Sequence, residues 1–263
     1  MNYQTLEIEI KDQVGTVFFN RQKVHNAFNE VMISELIKVV EELNQNEDVR
    51  VIVLRGRGKS FCAGADLNWM RDVAKYSYEE NYKESLQLSK CFYAIYTSSK
   101  PTIAVVHGAA IGGANGILAA CDLAYCDDDT TFSLSEVKIG IIPACISPYV
   151  TKRVGEYGSK DLMLTGKRFK GPEAEKHKLV NKSLSSVELD EYVDSVIALL
   201  KTSGPRAMTM CKELLFDICN KLSLDEALEY TAKMIADIRA SEEGQEGMAA
   251  FLEKRKPNWI KKN

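Results

Sequence analysis

The sequence predicts an α/β protein with parallel strand pairing over residues 1–190, followed by a helical unit over residues 191–263. Two observations predict the first part. Short β-branched or alternating stretches recur between longer stretches of helical period, and the connections between them are short, which places consecutive strands parallel with helices layered across them. The third observation concerns the tail. After about Val187 apolar residues recur only at helical spacing, with no strand signal.

The elements follow in chain order. Leu6-Glu7-Ile8-Glu9-Ile10 alternates with period two, and Val14 to Phe19 is β-branched and aromatic, so both read as strands. Asn29 stands where it would cap a helix whose apolar stripe is Met32, Leu36, Val39, Val40 and Leu43. Val49 to Leu54 has the length and branching of a buried strand. A helix over about Tyr78 to Tyr96 stops before Lys100-Pro101, and Ile103 to Val106 reads as the next buried strand. Gly108 to Gly113 then leads into a helical run ending at Ala120, and Leu123 to Cys126 is strand-like again. In the tail, three amphipathic helices are marked by Leu189, Val193, Val196, Ile197 and Leu200; by Leu214, Leu215 and Ile218; and by Leu224, Leu228, Thr231, Ile235 and Ile238. Their apolar faces are expected to cover the main body or a neighbouring subunit.

Composition narrows the function. The 263 residues, 45% hydrophobic and 27% charged, are those of an ordinary globular chain that buries a core without disulfides or structural metals. A net charge of −3 gives no general attraction to nucleic acid or anionic membrane, so a polyanionic ligand needs a local basic patch. No segment approaches the roughly 20 apolar residues of a spanning helix. The start, Met1-Asn2-Tyr3-Gln4, has neither the basic and apolar run of a secretory signal nor the arginines of a transit peptide, which predicts a cytoplasmic location. Seven cysteines without framework spacing read as reduced, mostly buried thiols.

Several motifs fail on inspection. Gly58-Lys59-Ser60 resembles the end of a phosphate-binding P-loop, but the upstream glycine would fall on Val53, inside a strand. Gly108, Gly112, Gly113 and Gly116 miss the dinucleotide spacing. His25, His107 and His177 are scattered and form no metal set, and no serine sits in a nucleophile elbow.

Two loops and one acid remain. Ser60-Phe61-Cys62-Ala63-Gly64-Ala65-Asp66-Leu67 and His107-Gly108-Ala109-Ala110-Ile111-Gly112-Gly113-Ala114-Asn115-Gly116 each follow a buried strand. Small residues admit a ligand to the peptide N–H groups, and two such groups converging from separate loops would form an oxyanion hole. Read alone, each loop is first a tight strand-to-helix turn. Glu136 is a lone acid in the run Phe132 to Pro143, which is otherwise small or apolar apart from Lys138. It reads as a helix-start carboxylate or solvated turn. The alternative is a desolvated carboxylate with a raised pKa, suited to acid/base work.

Taken in this order, the segments from Asn20-Arg21 to Lys254-Arg255 resemble the enoyl-CoA hydratase/isomerase (crotonase) superfamily. The resemblance implies a crotonase-like spiral of repeated ββα units and a C-terminal helical trimerisation domain, with trimers often paired into hexamers. It implies oxyanion-hole donors at Ala65 and Gly113 and an acid/base at Glu136. Val24, Ala63, Asp66, Leu67 and Gly112 match positions lining the CoA-ester site, and Phe251 and Lys254 match tail positions that touch the CoA of a neighbouring subunit. No cofactor is implied beyond the CoA moiety of the substrate, and no nucleic-acid or membrane partner. One animal relative binds RNA through lysines spaced along a helix; here Lys83, Lys90 and Lys100 form no such comb.

One departure matters. Two-glutamate hydratases carry a glutamate where this chain has Gly116, so only the second acid, Glu136, is kept. Single-glutamate relatives include Δ3,Δ2-enoyl-CoA isomerases, in which one carboxylate carries a proton between C2 and C4. Gly64-Ala-Asp-Leu-Asn-Trp-Met70 and Pro143-Ala-Cys-Ile-Ser-Pro-Tyr-Val150 look like bacterial 3-methylglutaconyl-CoA hydratases of leucine degradation. The expectation is therefore reversible enoyl-CoA hydration of that type, with Δ3,Δ2-isomerase as runner-up and acyl-CoA binding without turnover as the non-enzymatic alternative. Trp69, Gly116 and Tyr149 are expected to shape the acyl pocket, with packing as the plainer role of the two aromatics.

Overall fold

Strands β1 (Leu6–Lys11) and β2 (Val14–Phe19) form an antiparallel hairpin, with Leu6 opposite Phe19. Its two turn residues, Asp12 and Gln13, have φ of 50° and 69°, the primed turn whose twist suits a two-residue connection. The computed structural model describes residues 3–260; Met1-Asn2 of the start read above, and residues 261–263, lie outside the described residues.

Helix α1 (Glu30–Gln45) begins where Asn29 accepts a hydrogen bond from the Met32 N–H. Its buried face is the predicted stripe Met32, Leu36, Val39, Val40 and Leu43, widened by Ile33. Each such side chain contributes about 1.5–3 kcal/mol by leaving water. Strand β3 (Val51–Gly56) pairs parallel with β2, and a loop leads to α2 (Leu67–Val73) and α3 (Tyr78–Tyr96). A reciprocal Ser77–Glu80 capping box starts α3.

The next passage repeats a unit. Strand β4 (Thr102–Val106), strand β5 (Ala109–Ile111) and helix α4 (Ala114–Ala120) are followed by β6 (Leu123–Asp127), β7 (Thr131–Ser133) and α5 (Ser147–Thr165). The first strand of each unit joins a six-stranded sheet and the second a three-stranded sheet, so the chain advances as a spiral of ββα turns. Strand β8 (Arg168–Lys170), helix α6 (Gly171–Lys176) and strand β9 (Lys182–Leu184) complete the sheets, in the orders β1-β2-β3-β4-β6-β9 and β5-β7-β8. All pairings in the large sheet after the first hairpin are parallel.

Helix α7 (Ser186–Thr202) closes the other face of the large sheet. Its Leu189 and Val193 are buried against Val51, Val53, Ile103, Val105 and Tyr125. The boundary expected at 190/191 thus runs through a helix that belongs to the sheet's packing. The helices standing apart from the sheet are α8 (Pro205–Asn220), α9 (Leu224–Ala240) and α10 (Glu242–Leu252). Helix α9 has no buried residue, and Leu224, Leu228 and Ile235 are exposed. Buried Arg50 ties the tail to the body by donating to the carbonyls of Lys201, Ser203 and Trp259. Among the described residues no helix is long and apolar enough to cross a membrane.

Candidate active site

The first loop is held from both sides by main-chain bonds. On one side Cys62 pairs with β5: its N–H donates to Ala109 O (3.0 Å) and its carbonyl accepts from Ile111 N–H (3.1 Å). On the other side Phe28 pairs with Ala65, its N–H donating to Gly64 O (2.7 Å) and its carbonyl accepting from Asp66 N–H (2.8 Å). Gly64 has φ +96°, and a Cβ there would stand 3.0 Å from Ile111 O, so only glycine allows the loop to lie this close to β5.

In a planar trans peptide the carbonyl and the following N–H point in opposite directions. The Gly64 carbonyl is engaged by Phe28, so the Ala65 N–H is turned away from that pairing. The same logic holds in the second loop, where the Gly112 carbonyl accepts from the Asn115 N–H (2.9 Å) and the Gly113 N–H faces the other way. Among the described residues neither the Ala65 nor the Gly113 N–H has an acceptor in the fold. Gly113 is the N-cap of α4 and Ala65 stands just before the N-cap of α2, so both groups lie at helix starts, where N–H donors are left free to meet a ligand. Phe28 joins the two: its backbone bridges Ala65, and its ring lies 3.2 Å from where a Gly113 Cβ would be.

Glu136 opens a single 3-10 turn, Glu136–Ile139, closed by Gly140 at φ +79°. Its Oε1 lies 3.2 Å from the position a Cβ on Gly112 would take, and Gly112 has φ +54°. The acid therefore stands directly against the residue preceding Gly113. Its Oε2 is buried and has no hydrogen-bond partner among the described residues. Burial raises the carboxyl above the usual carboxylate range, against a smaller lowering by its own backbone N–H. The structure thus places Ala65 and Gly113 against Phe28 and Glu136 against the neighbouring Gly112. Two unclaimed N–H donors and one desolvated acid can polarise a carbonyl and move a proton beside it.

The sequence profile of the enoyl-CoA hydratase/isomerase family matches residues 9–262. The chain belongs to this family. It is similar to a putative enoyl-CoA hydratase of Thermus thermophilus, at 35% identity over 95% of this chain and 98% of the relative. It is also similar to a peroxisomal Delta(3,5)-Delta(2,4)-dienoyl-CoA isomerase of Arabidopsis thaliana, at 34% identity over 99% and 98% of the two chains. The crystal structure of an enoyl-CoA hydratase from Shewanella pealeana superposes with a TM-score of 0.94 at 40% identity, covering 97% of this chain and 96% of the other. The ββα spiral is the crotonase fold, and the protein is an enzyme of the hydratase/isomerase class.

In this hydratase/isomerase the Gly116 position has no room for a side chain. A Cβ there would be 2.3 Å from Ile146 Cγ2 and 2.9 Å from two atoms of the Phe92 ring. The space where a two-glutamate hydratase places its other acid is filled by hydrocarbon. Helix α3 holds this wall in place from two neighbouring residues. Glu84 accepts from the Trp69 indole N–H, and the Ser85 carbonyl accepts from Cys145 Sγ (3.6 Å). Those bonds fasten α2, just beyond Ala65, and the 143–146 segment, just beyond Glu136, to the same helix. Trp69 is half-buried, whereas Tyr149 is buried behind Phe92 and Tyr96, with ring centroids 6.1 and 5.3 Å away.

The remaining residues singled out from sequence separate into two places. Val24 is partly exposed at the end of a short turn, and Ala63 lies next to it, donating its N–H to His25 O (3.0 Å). Leu67 is exposed at the start of α2. Asp66 is less open to ligand than its position suggests: its carboxylate caps α2 at Asn68 (2.8 Å) and pairs with Arg21 (2.7 Å). Burial works to raise that carboxyl, but the Arg21 hydrogen bond and the cap hold it below its ordinary value. Phe251 and Lys254 are exposed at the end of α10, which packs on α8 and α9, away from the loops of this chain's own site.

Sequence reasoning missed Phe28, Asn26, Phe92 and Ile146. Buried Asn26 donates to the carbonyls of Arg57 (2.9 Å) and Ser60 (2.7 Å) and so sets the entry to the first loop. A single Asn between His25 and Ala27 carries no signal that separates it from an ordinary turn. A cavity of about 510 Å³ between α1 and α3, lined by Glu30, Tyr76, Lys83 and Glu84 among others, includes none of Ala65, Gly113 and Glu136.

Proposed function

We propose that this enzyme catalyses reversible hydration of an enoyl-CoA thioester, of the 3-methylglutaconyl-CoA type. The observation that carries the chemistry is the pair of acceptor-free N–H groups flanking Phe28, beside a half-buried acid whose buried Oε2 has no partner among the described residues. The Ala65 and Gly113 N–H groups receive the thioester oxygen, where negative charge accumulates as water adds across C2=C3. One such donor is typically worth about 2.7–4 kcal/mol of barrier. The Glu136 carboxylate takes a proton from water as its oxygen bonds to C3, and the resulting acid returns a proton to C2 of the enolate. Dehydration is the reverse. The acyl specificity rests on the resemblance of residues 64–70 and 143–150 and on the neighbouring Trp69, which stands on the wall next to Ala65. Val24, Ala63 and Leu67 fit the CoA-ester path. No group beyond the CoA moiety of the substrate is required.

Gly116 favours a second reading. With no place for another acid, Glu136 alone serves the site, as it would in a Δ3,Δ2-enoyl-CoA isomerase carrying one proton between C2 and C4. A panel of 3-methylglutaconyl-, crotonyl- and 3-hexenoyl-CoA decides between them. Hydration of the first with the highest kcat/KM is expected. Preferential conversion of 3-hexenoyl-CoA to its 2-enoyl isomer would replace the hydratase reading with the isomerase one. Self-assembly into a trimer belongs to the same proposal, supported by the uncovered apolar face of α9 and the exposed Phe251 and Lys254.

A further inference from the structure

Asn115 is fully buried in α4, a helix whose other residues are all small or apolar. Its Nδ2 donates to three carbonyls: Gly112 (3.0 Å), Ser133 (3.0 Å) and Ala110 (3.2 Å). Its Oδ1 is buried with no partner among the described residues. An apolar side chain would avoid that orphaned acceptor, so packing alone does not account for asparagine here.

The three carbonyls show what the side chain does. Gly112 is gripped at both ends, its N–H by Ser133 O (2.8 Å) and its carbonyl by the main-chain N–H and the carboxamide of Asn115. The Gly112 carbonyl and the Gly113 N–H belong to one rigid peptide plane. Whatever holds the first aims the second. At φ +54° Gly112 has the freedom to rotate that plane, so without a clamp the N–H would sample other directions. The bond to Ser133 O also fixes the end of β7, three residues before Glu136. One carboxamide therefore references both the Gly113 donor and the strand that delivers the acid.

We infer that Asn115 is a positioning residue that aims the Gly113 N–H at the thioester oxygen and sets its spacing from Glu136. The inference rests on the proposed role of Gly113 as an oxyanion donor. Asn115 itself does not touch substrate. Because preorganised direction is what gives such a donor its effect, misaiming it should cost rate more than binding.

The test uses the whole protein and two variants, Asn115→Ala, which removes both donors, and Asn115→Ser, which keeps one. Butyryl-CoA labelled with ¹³C at the thioester carbonyl has no double bond to react, and its infrared carbonyl stretch reports hydrogen bonding to that oxygen. In the parent, binding is expected to move the stretch to lower frequency. In Asn115→Ala the movement shrinks and kcat on the preferred enoyl-CoA falls about tenfold or more, with KM changed less than about threefold. Asn115→Ser falls between. A folded Asn115→Ala with the parent's carbonyl shift overturns the inference, whether or not kcat has dropped. If that variant does not fold, Asn115→Ser is read alone: a reduced shift with reduced kcat supports the assignment, and the parent's shift overturns it. Absence of any shift in the parent would instead remove Gly113 as donor, and with it the reading on which Asn115 depends.

Discussion

Gly116 offers the sharpest quantitative test of the single-acid site. Alanine in place of glycine inside a helix ordinarily gains about 1 kcal/mol. Here the added Cβ would sit 2.3 Å from Ile146 Cγ2 and 2.9 Å from the Phe92 ring, closer than real Cβ contacts come, in a helix that is buried along its whole length. Forcing a methyl group into a packed core costs about 1–3 kcal/mol. The overlap with Ile146 is severe, so the upper part of that range applies, and Gly116→Ala is expected to lose about 1–2 kcal/mol net. For a chain of this size that is a fall in Tm of about 2–8 °C. Ile146→Ala removes Cγ2 and should cost about 2–5 kcal/mol alone. In its background the Gly116→Ala penalty should shrink towards zero, only the Phe92 contact remaining, a coupling of about 1–2 kcal/mol. Thermal and urea melts of the four proteins give the cycle directly. If Gly116→Ala is as stable as the parent, or its penalty is undiminished beside Ile146→Ala, the explanation of the missing acid by occupied space is wrong. Gly116→Glu should be worse still and should not raise hydration, since the carboxylate would have to displace Phe92 and Ile146.

Three further outcomes follow from the charged groups. Glu136→Gln should lower turnover by about 10²–10⁴ while leaving the fold intact, and near-parental turnover would remove Glu136 from the chemistry. Burial raises Glu136 in the native state, so as pH climbs from the unfolded value of about 4.3 the unfolded chain binds fewer protons than the native one, and stability declines. The Gln variant should therefore melt no lower than the parent at pH 7, with any advantage disappearing below about pH 4; a lower Tm at pH 7 contradicts this. Arg21→Met leaves Asp66 buried and unpaired, the two side chains being only 19% and 7% exposed in the pair, and should cost about 3–5 kcal/mol at pH 7. Asp66 is held low, so its contribution is complete above the unfolded value of about 3.9 and is lost as pH falls through the lower native one. Urea melts at pH 7 and pH 3 should show the variant's deficit narrowing in acid, and an equal deficit at both would point to packing instead.

Elements whose signal lies within their own residues were legible in sequence. Asn29 and the apolar stripe of α1, the alternation of β1 and the β-branched run of β3 all name themselves locally. Strands β7, β8 and β9, three residues each, did not, because their pairing is imposed by neighbours in space. Helix α2 was hidden because Asp66 resembled a ligand-lining position and gave no separate sign that it also caps α2 and pairs with Arg21. The boundary expected at 190/191 falls inside α7 because that helix has the amphipathic pattern of the tail but turns its apolar face to the sheet. At the site, Glu136 stood out as an acid in an apolar run, but Ile139, Ile141 and Ile142 of that run are exposed, and the acid is half-buried against Gly112, a contact no local pattern records. Asn26, Phe28 and Phe92 act through partners distant in the chain, as Asn26 does across 34 residues to Ser60 O, and no local pattern records such a pairing.

The electrophilic half of the proposed site has no functional group of its own in the side-chain sense. Ala65 and Gly113 each contribute a main-chain atom that every amino acid but proline possesses. In the proposed mechanism any residue but proline at 65 keeps the donor, while a side chain at 64 or 112, both at positive φ, is expected to turn a peptide plane and misaim it.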